Sequence, residues 1–215
     1  YTQTTISSVV FVLFGSATVF SFFLTAFSER RFLNLKEIIT IALSVAGLYL
    51  IFMQAEEVAF TFNEGLISAT LAGLGYGLFL FLSRRLHFGS GFARIAALLL
   101  FGCVYLWIPF EPGVMLTSIG VLPLMMLAGL AVLPTIGGFW CTTKALTLTS
   151  SQSVQLIELS EPIFAIAFSA LFLGQHATPV QYLGGALIFF AIFLHEFTVL
   201  ERLFYLRVNG VRKDI

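Results

Sequence analysis

Charge is what this sequence has least of. Lysine, arginine, aspartate and glutamate make up 10% of its 215 residues, against about 25% in a soluble domain. The 11 basic and 11 acidic residues cancel, so no net field points to nucleic acid or to an acidic substrate. Cysteine is almost missing too. Cys103 and Cys141 lie inside apolar runs, which leaves no disulfide framework. The sole aspartate, Asp214, stands near the C-terminus, so an intramembrane aspartyl dyad cannot be built. No H-E-x-x-H is present for a zinc protease, and no G-x-x-x-x-G-K-[ST] for an ATP-driven machine. Gly89-Ser90-Gly91 is loosely similar to a serine-protease motif, but it falls in a loop beside Arg94. Alternation of period two is absent, which argues against a β-barrel. These absences leave no enzyme, no cofactor and no metal to expect.

What the sequence has is grease. Hydrophobic residues make up 59% of it, 25 of them phenylalanine, and mean hydropathy is +0.99. A soluble fold could not hide so much apolar surface, whereas phenylalanine in a bilayer needs no hydrogen-bond partner. A spanning helix takes about 20 mostly apolar residues. Seven segments qualify: 5–27, 37–54, 66–83, 92–110, 121–143, 152–173 and 179–197. The fold class expected is therefore all-α, a polytopic helical membrane protein.

Loop charge sets its orientation, because cytoplasmic loops collect lysine and arginine. Arg30, Arg31 and Lys36 flank the first loop. Arg84, Arg85 and Arg94 flank the third, Lys144 opens the fifth, and Arg202, Arg207, Arg212 and Lys213 lie in the tail. Loops 55–65, 111–120 and 174–178 carry no basic residue, and the first two hold Glu56, Glu57, Glu64 and Glu111. The alternation supports seven spans, with Tyr1 outside and the C-terminus in the cytoplasm. The 199–215 tail is basic and is read as a solvated segment that sets topology, the alternative being a segment lying along the anionic inner leaflet. The chain starts on Tyr1, nearly inside an apolar run, so the true N-terminus is expected upstream.

Residues 5–50 and 151–196 look like two copies of one unit: a Ser/Thr-rich start, an apolar helix, a polar break and a second apolar helix. Ser7 aligns with Ser153 and Phe22 with Phe168, at an offset of 146. Ala42-Leu43 aligns with Ala186-Leu187 at 144, so the first break should be two residues longer. Equivalent helices are five spans apart, and an odd offset inverts the second copy, an arrangement common in secondary transporters.

The acids inside the spans are the candidates for chemistry. A charge costs roughly 2.5–3.5 kcal/mol at the centre of a spanning helix on insertion scales. Glu158 and Glu161 both lie in the 152–173 span. Spaced by three, they are expected to share a face with Gln152 and Gln155. Such a stripe should face water or polar partners rather than lipid. Pro162 follows directly and should kink the helix by freeing the carbonyl of Glu158. Either the pair binds a cationic group or carries a proton, or one carboxyl joins helices as a hydrogen-bonding strut. Tyr76, among Gly73, Gly75 and Gly77, is a weaker site candidate, since Gly73-x-x-x-Gly77 reads first as helix packing. Trp140 follows Pro134, Gly137 and Gly138, where a bend would present it to solute; an interfacial anchor is the alternative. The hydroxyls of Ser7, Ser16, Thr18 and Ser21 are expected to satisfy their own helix. His87, His176 and His195 read as interfacial residues.

The order of short motifs resembles a known family. Ala145-Leu146, Glu161-Pro162-Ile163-Phe164, Leu173-Gly174-Gln175 and Gln181-Tyr182-Leu183-Gly184-Gly185-Ala186-Leu187-Ile188 are similar to the second half of an EamA-type transporter of the drug/metabolite transporter superfamily. Ser28-Glu29-Arg30 and Ala46-Gly47-Leu48-Tyr49-Leu50 resemble the end of its first half. Two positions depart from the pattern, Gln175 where glutamate is usual and Gly15-Ser16 where a proline is common.

The resemblance implies ten helices in two inverted halves, of which these seven would be the fourth to tenth. Residues 1–54 would then end the first repeat, 55–65 form an outer loop and 66–198 form the second repeat. It further implies a secondary transporter in the plasma (bacterial inner) membrane, moving a small metabolite by alternating access. An amino acid or a cationic, amphipathic solute fits the acids, and proton coupling fits a carboxylate pair. Because the family carries Glu-Pro widely, the resemblance implies an architectural part for Glu161 and a more individual one for Glu158. A seven-helix receptor or a non-transporting scaffold is the alternative. The receptor predicts no inverted repeat.

Overall fold

The computed structural model describes residues 6–52, 64–108 and 120–208, with side chains described as far as 197. Among the described residues all regular structure is helical. The seven apolar runs become seven helical stretches: α1 (Ile6–Ser28), α2 (Leu35–Phe52), α3 (Glu64–Arg85), α4 (Phe92–Trp107), α5 to α6 (Val121–Leu148), α7 to α8 (Ser151–Leu173) and α9 (Pro179–Val208). Six of these are long and apolar enough to cross a bilayer, and α4 is a shorter apolar helix of 16 residues. The protein is thus a polytopic helical membrane protein. Loops 55–65 and 111–120, read above as acidic outer loops, lie almost wholly outside the described residues. At the C-terminal end α9 continues through Val208, eleven residues past the boundary expected at 197. Much of the expected tail is therefore helix.

Two spans are discontinuous. Between α5 (Val121–Leu130) and α6 (Gly138–Leu148), Ala131–Gly137 winds as a π-helix around Pro134. Proline cannot donate to the carbonyl four residues back, that of Leu130. The Thr135 hydroxyl donates to that carbonyl instead, at 3.0 Å. The second discontinuity is a break rather than the kink expected at Pro162. α7 (Ser151–Glu158) stops, Leu159 and Ser160 form a turn with bonds to Leu156 and Ile157, and α8 (Glu161–Leu173) starts with Pro162 in its first turn. In a first turn the missing N–H of proline costs nothing.

The chain divides into two compact units, residues 1–82 with 150–215, and residues 83–149. In the first unit α1, α2, α7 and α9 enclose an apolar core of Phe22, Leu48, Ile51, Leu156, Leu159 and Ile188. α2 and α9 run antiparallel at close quarters. A Cβ added to Gly47 would stand 2.6 Å from the Gly184 carbonyl oxygen, and one on Gly184 the same distance from that of Gly47. Only glycine allows two backbones so near, which is how small residues join helices in lipid. Gly73 and Gly77 of α3 serve the same end, since a Cβ on Gly73 would run into the Leu13 carbonyl of α1 and one on Gly77 would meet the Ala17 carbonyl at 3.0 Å. In the second unit α5 and the π segment contribute no buried residue. There Arg84 donates to the carbonyls of Leu146 and Thr147 at 3.2 and 3.3 Å, at the C-terminal end of α6, where a cation complements the helix dipole.

The breaks of the two helix pairs compared above share one device. At the start of α2, the carboxylate of Glu37 accepts the backbone N–H of Asn34 at 2.9 Å. At the start of α9, the amide oxygen of Gln181 accepts that of Thr178 at 3.0 Å, and the Thr178 hydroxyl accepts the N–H of Gln181 at 3.3 Å. The second arrangement is a full capping box. Glu37 and Gln181 are 144 residues apart, the offset of the second helices. The breaks themselves, residues 29–34 and 174–178, differ by one residue rather than two.

Arg31 closes the first break. It grips Glu37 with two bonds of 2.7 Å and also pairs with Glu29. The Glu37 bond, opposed by partial burial and assisted by Glu29, raises its pKa above the ordinary arginine value.

Candidate functional site

The structure parts the two acids that the sequence placed on one face. Spacing by three aligns side chains only along an uninterrupted helix, and the Leu159–Ser160 turn lies between them. Glu158 is half-buried and turns to α3. The Tyr76 hydroxyl stands 2.9 Å from each of its carboxylate oxygens. A phenol so placed donates its single proton to a charged carboxylate, and can accept from a protonated one. Tyr76, a minor candidate by sequence, is therefore the residue that holds Glu158.

Glu161 goes elsewhere. It is exposed and lines an open cavity of about 400 Å³ at the end of the first unit where α1 begins, α2 ends and the α8–α9 turn lies. Ser7, Ser169, Gln175, His176 and Gln181 supply the other polar groups, and Phe14, Ile51 and Ile166 are among the apolar ones. Pro162 lines it too and is buried. Small-molecule sites are of this kind, a mostly apolar concavity of about 300–1,000 Å³ with a few polar groups that fix orientation. One carboxylate with hydroxyls, amides and an imidazole can take an ammonium group and several neutral hydrogen-bonding groups.

The rest of the stripe is buried deeper. Gln155 is 0% exposed and neither its amide nitrogen nor its oxygen has a hydrogen-bond partner. Gln152 is 6% exposed and its amide nitrogen is likewise unpartnered. Trp140 and Pro134 belong to the second unit, both exposed, with Pro134 in the π segment and Trp140 on α6. Tyr76, Glu158, Glu161 and Gln155 are thus in one unit, divided between a hydrogen-bonded pair, a cavity and a closed interior.

Gln175, His176 and Gln181 were not expected at a site. Their signal was the T-x-x-Q pattern of Thr178–Gln181, which fixes a short, tightly capped turn over the cavity. Of the hydroxyls assigned to their own helix, Ser16 and Thr18 do return to Leu13 and Phe14, at 3.1 and 2.8 Å. Ser7 lines the cavity instead and Ser21 is unpartnered. His195, read as interfacial, is buried with its ring edge-on to Phe22 at 5.4 Å.

Comparison with known proteins agrees with this architecture. Residues 63–196 match the model of a family described as the EamA-like transporter family. A solved structure whose title reads only "Crystal structure of protein" is similar in fold, with a TM-score of 0.66 at 17% identity, covering 93% of this chain and 69% of that one. No curated protein matches significantly.

Proposed function

The chain belongs to the EamA-like transporter family, and from that premise we propose that it is a secondary transporter, not an enzyme, that moves a small metabolite with a cationic group. Family and fold make it a multi-pass integral membrane protein of a transporter family. The plasma (bacterial inner) membrane, a cytoplasmic C-terminus and alternating access are parts of this reading, and loop charge supports the second. The observation that carries it is Glu161, a carboxylate at the wall of a 400 Å³ cavity within a span. An ionisable residue among spanning helices marks a solute or ion path by default. Glu161 takes the ammonium of an amino acid or a similar amphipathic solute, while Ser7, Gln175 and Gln181 take its neutral groups.

Glu158 has a separate task in this reading. With Tyr76 across from it, its carboxyl has a partner in either protonation state, as a proton-coupling group needs. α7 packs against α1 and α9. α1 carries no titratable side chain, and α9 carries Tyr182, His195 and Glu196 within its described side chains. The π segment at Pro134 supplies a second discontinuity, of a kind frequent at functional sites. Trp140, on the helix that follows it, is a proposed solute contact.

The test is reconstitution of the full-length protein in liposomes under an imposed pH gradient, with labelled amino acids and cationic metabolites as probes. Uptake above protein-free vesicles, lost in Glu161→Gln, is the expected result. Uptake unchanged in Glu161→Gln would remove the cavity from the account. No uptake of any probe would favour a scaffold.

A further inference from the structure

We propose that Gln155, with Gln152 one turn before it, forms a second and occluded half of the solute path, which closes over it in this conformation and binds the uncharged hydrogen-bonding groups of a small polar solute when open. The inference rests on the transport reading for what enters, but not for whether the segment opens.

A buried amide deprived of water and left without a partner is destabilising, and native interiors seldom retain one without a reason. Gln155 has no structural task that would supply the reason. The cap of α7 is made by Ser150, whose hydroxyl accepts the N–H of Ser153 at 3.1 Å. The tie to α3 is made by Glu158. A leucine would fill the position at no such cost. Two hydroxyls of the same unit share the condition. Ser21 on α1 and Ser44 on α2 are at most 1% exposed and unpartnered. Thr18 and Thr40, on the same two helices, each donate to their own backbone, to Phe14 at 2.8 Å and Lys36 at 2.9 Å.

On α9 one buried carboxylate oxygen of Glu196 is also unpartnered, whereas the unpartnered groups of α1, α2 and α7 are all neutral, and α1 and α7 carry no lysine or arginine. Such a set cannot neutralise a charge, but it can both donate to and accept from hydroxyl, amide or carboxylic acid groups. Its place fits a path. Read back along the chain, Glu161 at the open cavity gives way to Glu158 at the break, then to Gln155 and Gln152 in the closed interior.

The experiment needs no identified solute. In a Cys103→Ser, Cys141→Ser background, Gln155→Cys is treated in proteoliposomes with a water-soluble maleimide, with Phe168→Cys as the lipid-side control. The melting temperature of Gln155→Met is measured in parallel. The proposal expects Gln155→Cys to react at least tenfold faster than the control, and Gln155→Met to melt no lower than wild type. A cysteine that never reacts overturns the proposal, whatever the melting temperature, as does a fall of several degrees in Gln155→Met, which would make the amide a packing element. If Gln155→Cys does not fold, Gln152→Cys is read by the same criteria. Reaction at Gln155→Cys without uptake of any probe would reject the transport reading and leave the opening established.

Discussion

One span holds two opposite halves. α7 is short, and Ser151 to Leu156 are all buried, two serines and two glutamines among them. α8 is longer and apolar, and only Pro162 is buried. Phe164, Phe168, Leu171 and Phe172 are each more than half exposed. A water-soluble protein would reverse this. In lipid the exposed face is where grease belongs, and polarity survives only where protein or an aqueous cavity receives it. The break at Leu159–Ser160 is what lets a single span have both characters, with an acid on each side of it.

The contrast can be broken most forcefully from the α8 side. Phe168→Lys places a charge on the lipid-facing half and should cost about 2.5–3.5 kcal/mol of insertion. The yield of protein resistant to alkaline extraction from membranes should fall sharply. Normal yield would mean that this face meets protein or water.

A smaller effect is expected at the joint between α7 and α3. Tyr76→Phe removes the donor to Glu158. Interhelical hydrogen bonds in membranes average about 0.6 kcal/mol, with a maximum near 1.7, so thermal unfolding in detergent should drop by a few degrees at most. A drop well beyond that would make the pair a structural keystone and weaken its role in coupling.

The smallest effect is expected at the first break, which serves as the ion-paired counterpart of the neutral α8–α9 turn. Arg31 has its pKa raised in the fold by Glu37. A raised folded value gives stability that is present below the unfolded pKa and lost only as pH climbs through the folded one. For arginine both lie above about 12. Arg31→Gln should therefore lower the melting temperature by the same amount at pH 6 and pH 9. A penalty that changes between these values would place the effect on another group.

Much of the fold was legible because lipid imposes so few solutions. Seven apolar runs of near-spanning length became seven helical stretches, with ends displaced by a few residues except at α9, which runs eleven residues past its expected end. Proline at 162 and 134 marked both discontinuities, but not their form. Whether a helix bends, winds as π or stops depends on which neighbour takes the freed carbonyl, and at Pro134 that neighbour is Thr135. The site was legible in composition and not in geometry. The stripe from Gln152 to Glu161 assumed one unbroken helix. The turn at Leu159–Ser160 sends Glu158 to Tyr76, 82 residues away in sequence, and Glu161 to the cavity. Nor could periodicity show that Ser21 would be sealed in while Ser16 returned to its own backbone, since both are hydroxyls on one helix.

The division of labour between the two acids is the central claim, and uptake in two modes tests it most directly. Wild type and Glu158→Gln are compared in proteoliposomes, first for accumulation driven by a pH gradient, then for exchange of labelled against unlabelled solute without one. The account predicts that Glu158→Gln exchanges at near wild-type rate and loses gradient-driven accumulation by at least tenfold. Equal accumulation by both proteins, or wild-type accumulation indifferent to the gradient, would contradict it.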